Sequence, residues 1–98
     1  MTYDVVKNRT IAVLDTTKNL SELTGEQQTK LHDIYQDTKH LVRKSEIDLV
    51  LITEIDLYNW FYENTEGNVI CYFMTKNKGN MMVHFDSEED AVAFKLRW

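Results

Sequence analysis

Val69-Ile70-Cys71-Tyr72-Phe73-Met74 is the stretch on which the fold turns. Val69, Cys71 and Phe73 alternate with Ile70, Tyr72 and Met74, and neither set is polar, so both faces of this segment point at other parts of the protein. That pattern belongs to a central strand. Gly67 and Asn68 interrupt the chain before it, and Lys76-Asn77-Lys78-Gly79-Asn80 is a strong turn signal after it. Met81, Val83 and Phe85 then alternate with Met82 and His84, which predicts the hairpin partner.

Beyond the hairpin, Asp86 or Ser87 is positioned to cap a last helix, whose first turn holds Glu88, Glu89 and Asp90 at the amide end. Its apolar residues form two strips, Ala91 with Phe94 and Trp98, and Val92 with Leu96. The expectation is one wide buried face that takes both strips. The alternative leaves the second strip for a loop or another chain.

Upstream, Thr53 suits an N-cap, with Asp56 in the first turn and Leu57, Tyr58, Phe61 and Tyr62 forming the apolar arc of a helix that ends near Asn64. Ile47, Leu49 and Leu51 alternate with Asp48, Val50 and Ile52, which favours a strand. Leu31, Ile34, Tyr35, Leu41 and Val42 recur at helical spacing, so a helix is expected from Gly25 to Lys44, opened by a Thr24 and Gln27 capping box. Asp15 to Leu23 is polar and reads as a loop. Thr10 to Leu14 is the first strand, with Lys7-Asn8-Arg9 either inside an extended segment or turning a hairpin. The order β-α-β-α-β-β-α predicts an α+β fold in which a small antiparallel or mixed sheet carries helices on one face. Its C-terminal part is arranged as in a ferredoxin-like sandwich.

The chain has 98 residues, three Gly and no Pro, with 43% hydrophobic and 28% charged residues. It is sized and composed as a single domain over residues 1–98. Eleven basic against sixteen acidic side chains give a formal charge of -5, which disfavours a general polyanion binder. No apolar run approaches the roughly 18 residues needed to span a bilayer. Thr2, Tyr3 and Asp4 follow Met1 where a secretory leader would be basic and then apolar, so the cytoplasm is the expected compartment. A single Cys makes no internal disulfide. The charge is unevenly spread: residues 1–44 hold seven basic and six acidic side chains, and residues 45–98 hold four and ten. From Ser45 to Thr75 there are six acids, Glu46, Asp48, Glu54, Asp56, Glu63 and Glu66, and no Lys or Arg.

Catalytic and metal chemistry find little support. Asp33, Asp37 and His40 fall at i, i+4 and i+7 of the expected long helix, but that face lies opposite the apolar stripe beside Lys30 and Lys44 and reads as solvated. Cys71 and His84 are the best nucleophile and base pair on neighbouring strands, yet no orienting acid or glycine-rich loop accompanies them. Tyr72 and Phe73 superficially suit an RNA-recognition sheet, without the basic and glycine positions it requires. No cofactor, metal or catalytic residue is assigned.

The helix after Thr53 carries the most informative set. At about 100° per residue, Asp56, Asn59 and Glu63 share the face opposite the apolar arc, and Trp60 projects beside them. With Glu66 just beyond, these five are the candidate partner-binding residues. An indole supplies apolar area, and carboxylates steer and pair with a basic partner.

Phe85-Asp86-Ser87-Glu88-Glu89-Asp90-Ala91-Val92-Ala93-Phe94-Lys95-Leu96-Arg97-Trp98 resembles the C-termini of small accessory proteins of T4-like tailed bacteriophages. The likeness covers about a seventh of the chain and implies a setting, an infected bacterial cytoplasm, with no site residue carried over. The expected function is accordingly that of a non-enzymatic phage accessory protein that binds and modulates or inhibits a host protein through an acidic surface. The partner would present a basic surface; direct nucleic-acid and membrane binding are not expected, and the high aromatic content and two-sided last helix leave self-association open. Alternatives are mimicry of nucleic acid by the six acids against a host defence enzyme, and a structural role in the virion.

Overall fold

The computed structural model describes residues 2–15, 22–37, 39–47, 53–74 and 79–98; at 2, 45–47, 74 and 79 the description is of the backbone alone. The elements in chain order are β1 (Thr2–Val6), β2 (Arg9–Asp15), α1 (Gly25–Asp37), β3 (His40–Ile47), α2 (Glu54–Asn64), β4 (Val69–Met74), β5 (Gly79–Phe85) and α3 (Glu88–Arg97). The fold is α+β, with a mixed five-stranded sheet in the order β1-β2-β4-β5-β3. From β2 onward the elements follow the order expected from sequence. The Lys7-Asn8-Arg9 ambiguity resolves as a hairpin, which adds β1. Lys7 and Asn8 both lie at positive φ, 50° and 67°, the geometry that lets a two-residue turn follow the strand twist.

β4 is the central strand, parallel to β2 and antiparallel to β5, which in turn is antiparallel to β3. β2, β4 and β3 therefore run the same way, with β5 inserted between β3 and β4. The run β3-α2-β4-β5-α3 thus has the split β-α-β connectivity of half a ferredoxin-like sandwich.

The helices do not all share one face. Leu57 and Phe61 of α2 and Ala91 and Phe94 of α3 pack on Ile11, Val13, Val69, Cys71, Val83 and Phe85. Leu31 and Ile34 of α1 pack on Ala12, Leu14 and Ile70 on the opposite face. The reason lies in chain direction. α1 carries the chain from β2 across the sheet to β3, and α2 brings it back from β3 to β4. Two crossovers of the same hand that travel in opposite directions must lie on opposite faces.

A second departure concerns the long helix expected from Gly25 to Lys44. α1 ends at Asp37 and His40–Ile47 is an edge strand, paired from His40 against Phe85 to Lys44 against Met81. Leu41 and Val42 fit a helical stripe and a strand equally well in sequence. Pairing with β5 decides it, burying Val42 in the α2–α3 core. Of the strand expected over Ile47 to Ile52, residues 48–52 lie outside the described residues, as do 16–21 of the loop and 75–78 of the turn that the sequence predicts.

Local signals set the helix starts. Thr24 accepts from the Gln27 amide at 3.1 Å while Gln27 Oε1 accepts from the Thr24 amide at 3.0 Å. Ser87, not Asp86, caps α3, accepting from the Asp90 amide.

Candidate functional site

α2 is held so that its acidic strip faces outward. Thr53 is its N-cap: its hydroxyl accepts from the Asp56 amide at 3.1 Å, and the Asp56 carboxylate accepts from the Thr53 amide at 3.2 Å. Asp56 is thus both a surface acid and half of a capping box. One turn on, Leu57 and Phe61 are fully enclosed by the sheet and α3. Asp56, Asn59 and Glu63 are exposed along the far side, and Glu66 is exposed in the loop beyond.

Trp60 is the member of the set that departs from expectation. It is half-buried and packs into the seam between α2 and α3, edge-on to Phe61, Phe94 and Trp98 at centroid distances of 5.7, 5.9 and 6.4 Å. Only the rest of its surface borders the acidic strip. At 100° per residue it sits between that strip and the Leu57 and Phe61 line, so whichever element flanks α2 on that side captures it. Here the flanking element is α3, antiparallel to α2. Arg97 lies over the Trp98 ring at 4.4 Å and brings a positive charge to the edge of this seam.

The carbonyl end of α2 has no basic residue of its own. Arg9, at the start of β2, supplies the charge: its guanidinium donates to Tyr62 O at 3.0 Å, Gly67 O at 3.0 Å and Thr65 Oγ1 at 2.8 Å. A planar fork fits this cluster of acceptors, and its charge opposes the negative pole of the helix. The loop after α2 is fastened from the other side by acids. Asp90 accepts from the amides of Glu66 and Gly67, Asp86 accepts from Asn68 N at 3.0 Å, and Asn68 Oδ1 accepts from Thr10 N at 2.8 Å. Arg9, Asp86 and Asp90 therefore set where Glu63 and Glu66 stand. Sequence reasoning missed this clasp, because its partners are more than 50 residues apart along the chain for Arg9. The one local hint is the absence of any Lys or Arg at the end of α2.

Tyr58 donates to the Asp4 carboxylate of β1, tying α2 to the sheet edge. That hydrogen bond, with some burial, pushes the Tyr58 phenol up to about 12. Glu54 is half-buried at the helix start. Of the six acids in the basic-free stretch, Asp48 and the Glu46 side chain lie outside the description.

The other candidates are separated by the fold. Cys71 points into the α2–α3 core, fully buried, and burial pushes its thiol far above the ordinary range. His84 lies on the opposite face of the sheet, opposite Ile70, with its ring against Tyr35 at 4.7 Å. The two do not meet. Tyr72 and Phe73 likewise face opposite sides, Phe73 buried in the core, so they offer no shared stacking platform. Asp33 and Asp37 are on α1 while His40 is on β3, which removes the spacing that would have set all three on one helix face. Among the described residues no group of three or more metal-type ligands comes together. No described helix is long and apolar enough to cross a membrane.

What these features define is an α+β domain with an acidic, cation-free helix on its surface. No family model matches the chain, no curated protein is similar to it, and no solved structure matches it.

Proposed function

We propose that the chain is a non-enzymatic accessory protein that binds and modulates another protein through the outer face of α2. Asn59, Glu63 and Glu66 meet basic side chains of the partner, Asp56 adds charge at the helix start, and the uncovered edge of Trp60 contributes apolar area. In the setting implied by the resemblance of residues 85–98, the partner is a host protein in a phage-infected bacterium. One observation carries this reading: α2 exposes Asp56, Asn59 and Glu63 along one strip and contains no basic residue. Such a strip steers a basic surface and repels polyanions.

The test is affinity capture from bacterial lysate with the native chain and with Glu63→Lys combined with Glu66→Lys, followed by direct binding of the recovered protein. The double reversal touches no capping or core contact, so its melting temperature stays that of the native chain. A basic partner held by the native chain and lost by the variant at equal stability supports the reading. A partner bound equally by both overturns it.

A further inference from the structure

The second apolar strip of α3 is uncovered. Leu96 is 85% exposed and Val92 46% exposed, while Ala91 and Phe94 of the same helix are buried. The expected single wide buried face does not form, because the arc from Ala91 to Trp98 already fills the space over β3 and β5. Val92, Ala93 and Leu96, with Glu88 and Glu89, line an open hollow of about 390 Å3 on the outer side.

The charges around this strip are arranged in a way that fits one occupant. Glu88 and Glu89 occupy the first turn and Lys95 and Arg97 the last, all exposed. The carboxylate of Asp90 bonds the loop after α2, so α2 lies on the Asp90 side of α3. At about 100° per residue, Arg97 then falls on the flank towards α2, Glu88 and Lys95 on the flank away from it, and Glu89 near the outer crest. We infer that this face pairs with a second copy of itself, α3 against α3 in antiparallel fashion about a two-fold axis through Val92.

That axis sets position 88 of one copy against position 96 of the other. Leu96 of each chain then enters the hollow beside Glu88 and Glu89 of the other, as a knob enters a hole, and the two Val92 side chains meet at the axis. In an antiparallel pair like flanks face one another. Glu88 therefore meets Lys95 of the second copy on one flank, and Glu89 reaches towards Arg97 on the other, each contact occurring twice. A parallel pair would set unlike flanks together at equal height, Glu88 beside Glu89 and Lys95 beside Arg97, like charge against like. The surface is self-complementary in shape and in charge, as an isologous contact requires. One helix pair is smaller than the roughly 800 Å2 per partner of a standard stable interface, so the dimer forms at high protein concentration.

Sedimentation equilibrium over a range from micromolar to millimolar tests the pairing. The native chain moves from its 11.6 kDa mass towards twice that value. Leu96→Glu weakens association by about tenfold or more, and Glu88→Lys or Lys95→Glu alone by about threefold or more. Glu88→Lys and Lys95→Glu in one chain restore the charge match and recover association above either single variant, a repair that misfolding would not show. A native chain that stays monomeric at millimolar concentration overturns the inference, including the case in which it holds a different protein through Val92 and Leu96. So does a double variant weaker than both singles, or a Leu96→Glu chain that associates as the native one does.

Discussion

Replacing Trp60 with Ala measures how far this residue belongs to the fold. Complete removal of a buried Trp or Phe costs about 3–5 kcal/mol. Trp60 keeps only a minor part of its surface in solvent, so somewhat more than half of that applies to its area. Its three edge-on contacts, at 5.7, 5.9 and 6.4 Å, add a further fraction because edge-to-face pairs contribute beyond burial. The expected loss is about 2–3 kcal/mol, a large part of the roughly 5–15 kcal/mol that holds a domain together. At this chain length the melting temperature should fall by about 10–20 °C. Urea denaturation followed by circular dichroism is the appropriate assay, because the chain has two Trp and the variant removes one of the fluorescent reporters. Trp60→Phe keeps the seam partly filled and should lose about half as much. A loss under about 0.5 kcal/mol for Trp60→Ala would refute the packing argument and return the indole to solvent. If the loss is as large as expected, weakened partner binding by Trp60→Ala says little about contact, and Glu63 and Glu66 are the positions that report on it.

Three further outcomes follow from the clasp and the buried groups. Arg9→Met removes a charged donor from three acceptors at 2.8–3.0 Å and the cation from the α2 carbonyl end, and should cost about 2–3 kcal/mol in urea unfolding. Cys71 should resist thiol reagents in the native protein and react at once in denaturant, since the thiol is buried and held protonated. Burial and the nearby Arg43 charge hold the His84 imidazole below its ordinary 6.5, with Tyr35 and Tyr72 also against it. The unfolded chain then takes up the proton first, so stability is lost as pH falls below about 6.5 towards the folded-state value, and is unaffected above it. His84→Leu should remove that part of the acid sensitivity in melts compared between pH 7.5 and 5.5.

The parts of the fold that sequence made legible are those fixed by neighbours along the chain. Thr53 and Ser87 cap helices because their side chains reach amides three residues on, and Val69–Met74 is central because both its faces are apolar. What sequence left open is decided by contacts between distant segments. Leu41 and Val42 serve a helix or a strand until β5 arrives as a pairing edge, and no Gly or Pro marks the end of α1. The side of the sheet on which α1 lies follows from two crossovers running in opposite directions, which no local pattern encodes. In the candidate site, the exposure of Asn59 and Glu63 came from helical spacing alone. The capture of Trp60 depended on α3 docking along one particular flank of α2.

The acids that give the chain its charge therefore divide by what they hold. Asp56 closes a capping box, Asp4 accepts from Tyr58, Asp86 fastens Asn68, and Asp90 fastens Glu66 and Gly67. These carboxylates already accept hydrogen bonds within the fold, and a partner that drew them away would have to replace those bonds. The side chains of Glu63, Glu66, Glu88 and Glu89 are exposed to solvent. A basic partner gains most from the second group, because ordering an exposed glutamate costs only its rotamer freedom, whereas displacing Asp90 would undo the loop that positions Glu66. Neutralising the two groups separately should then split the phenotypes. Glu63→Gln with Glu66→Gln lowers the association rate for a basic partner and its salt dependence while urea unfolding stays within about 0.5 kcal/mol of the native chain. Asp90→Asn leaves the outer strip intact but loses about 1–3 kcal/mol of stability, as the charge-assisted bonds to two amides weaken. Effects on association in proportion to the charge removed, two charges against one, at matched stability would mean that the total charge, and not the position of the exposed glutamates, is what a partner senses.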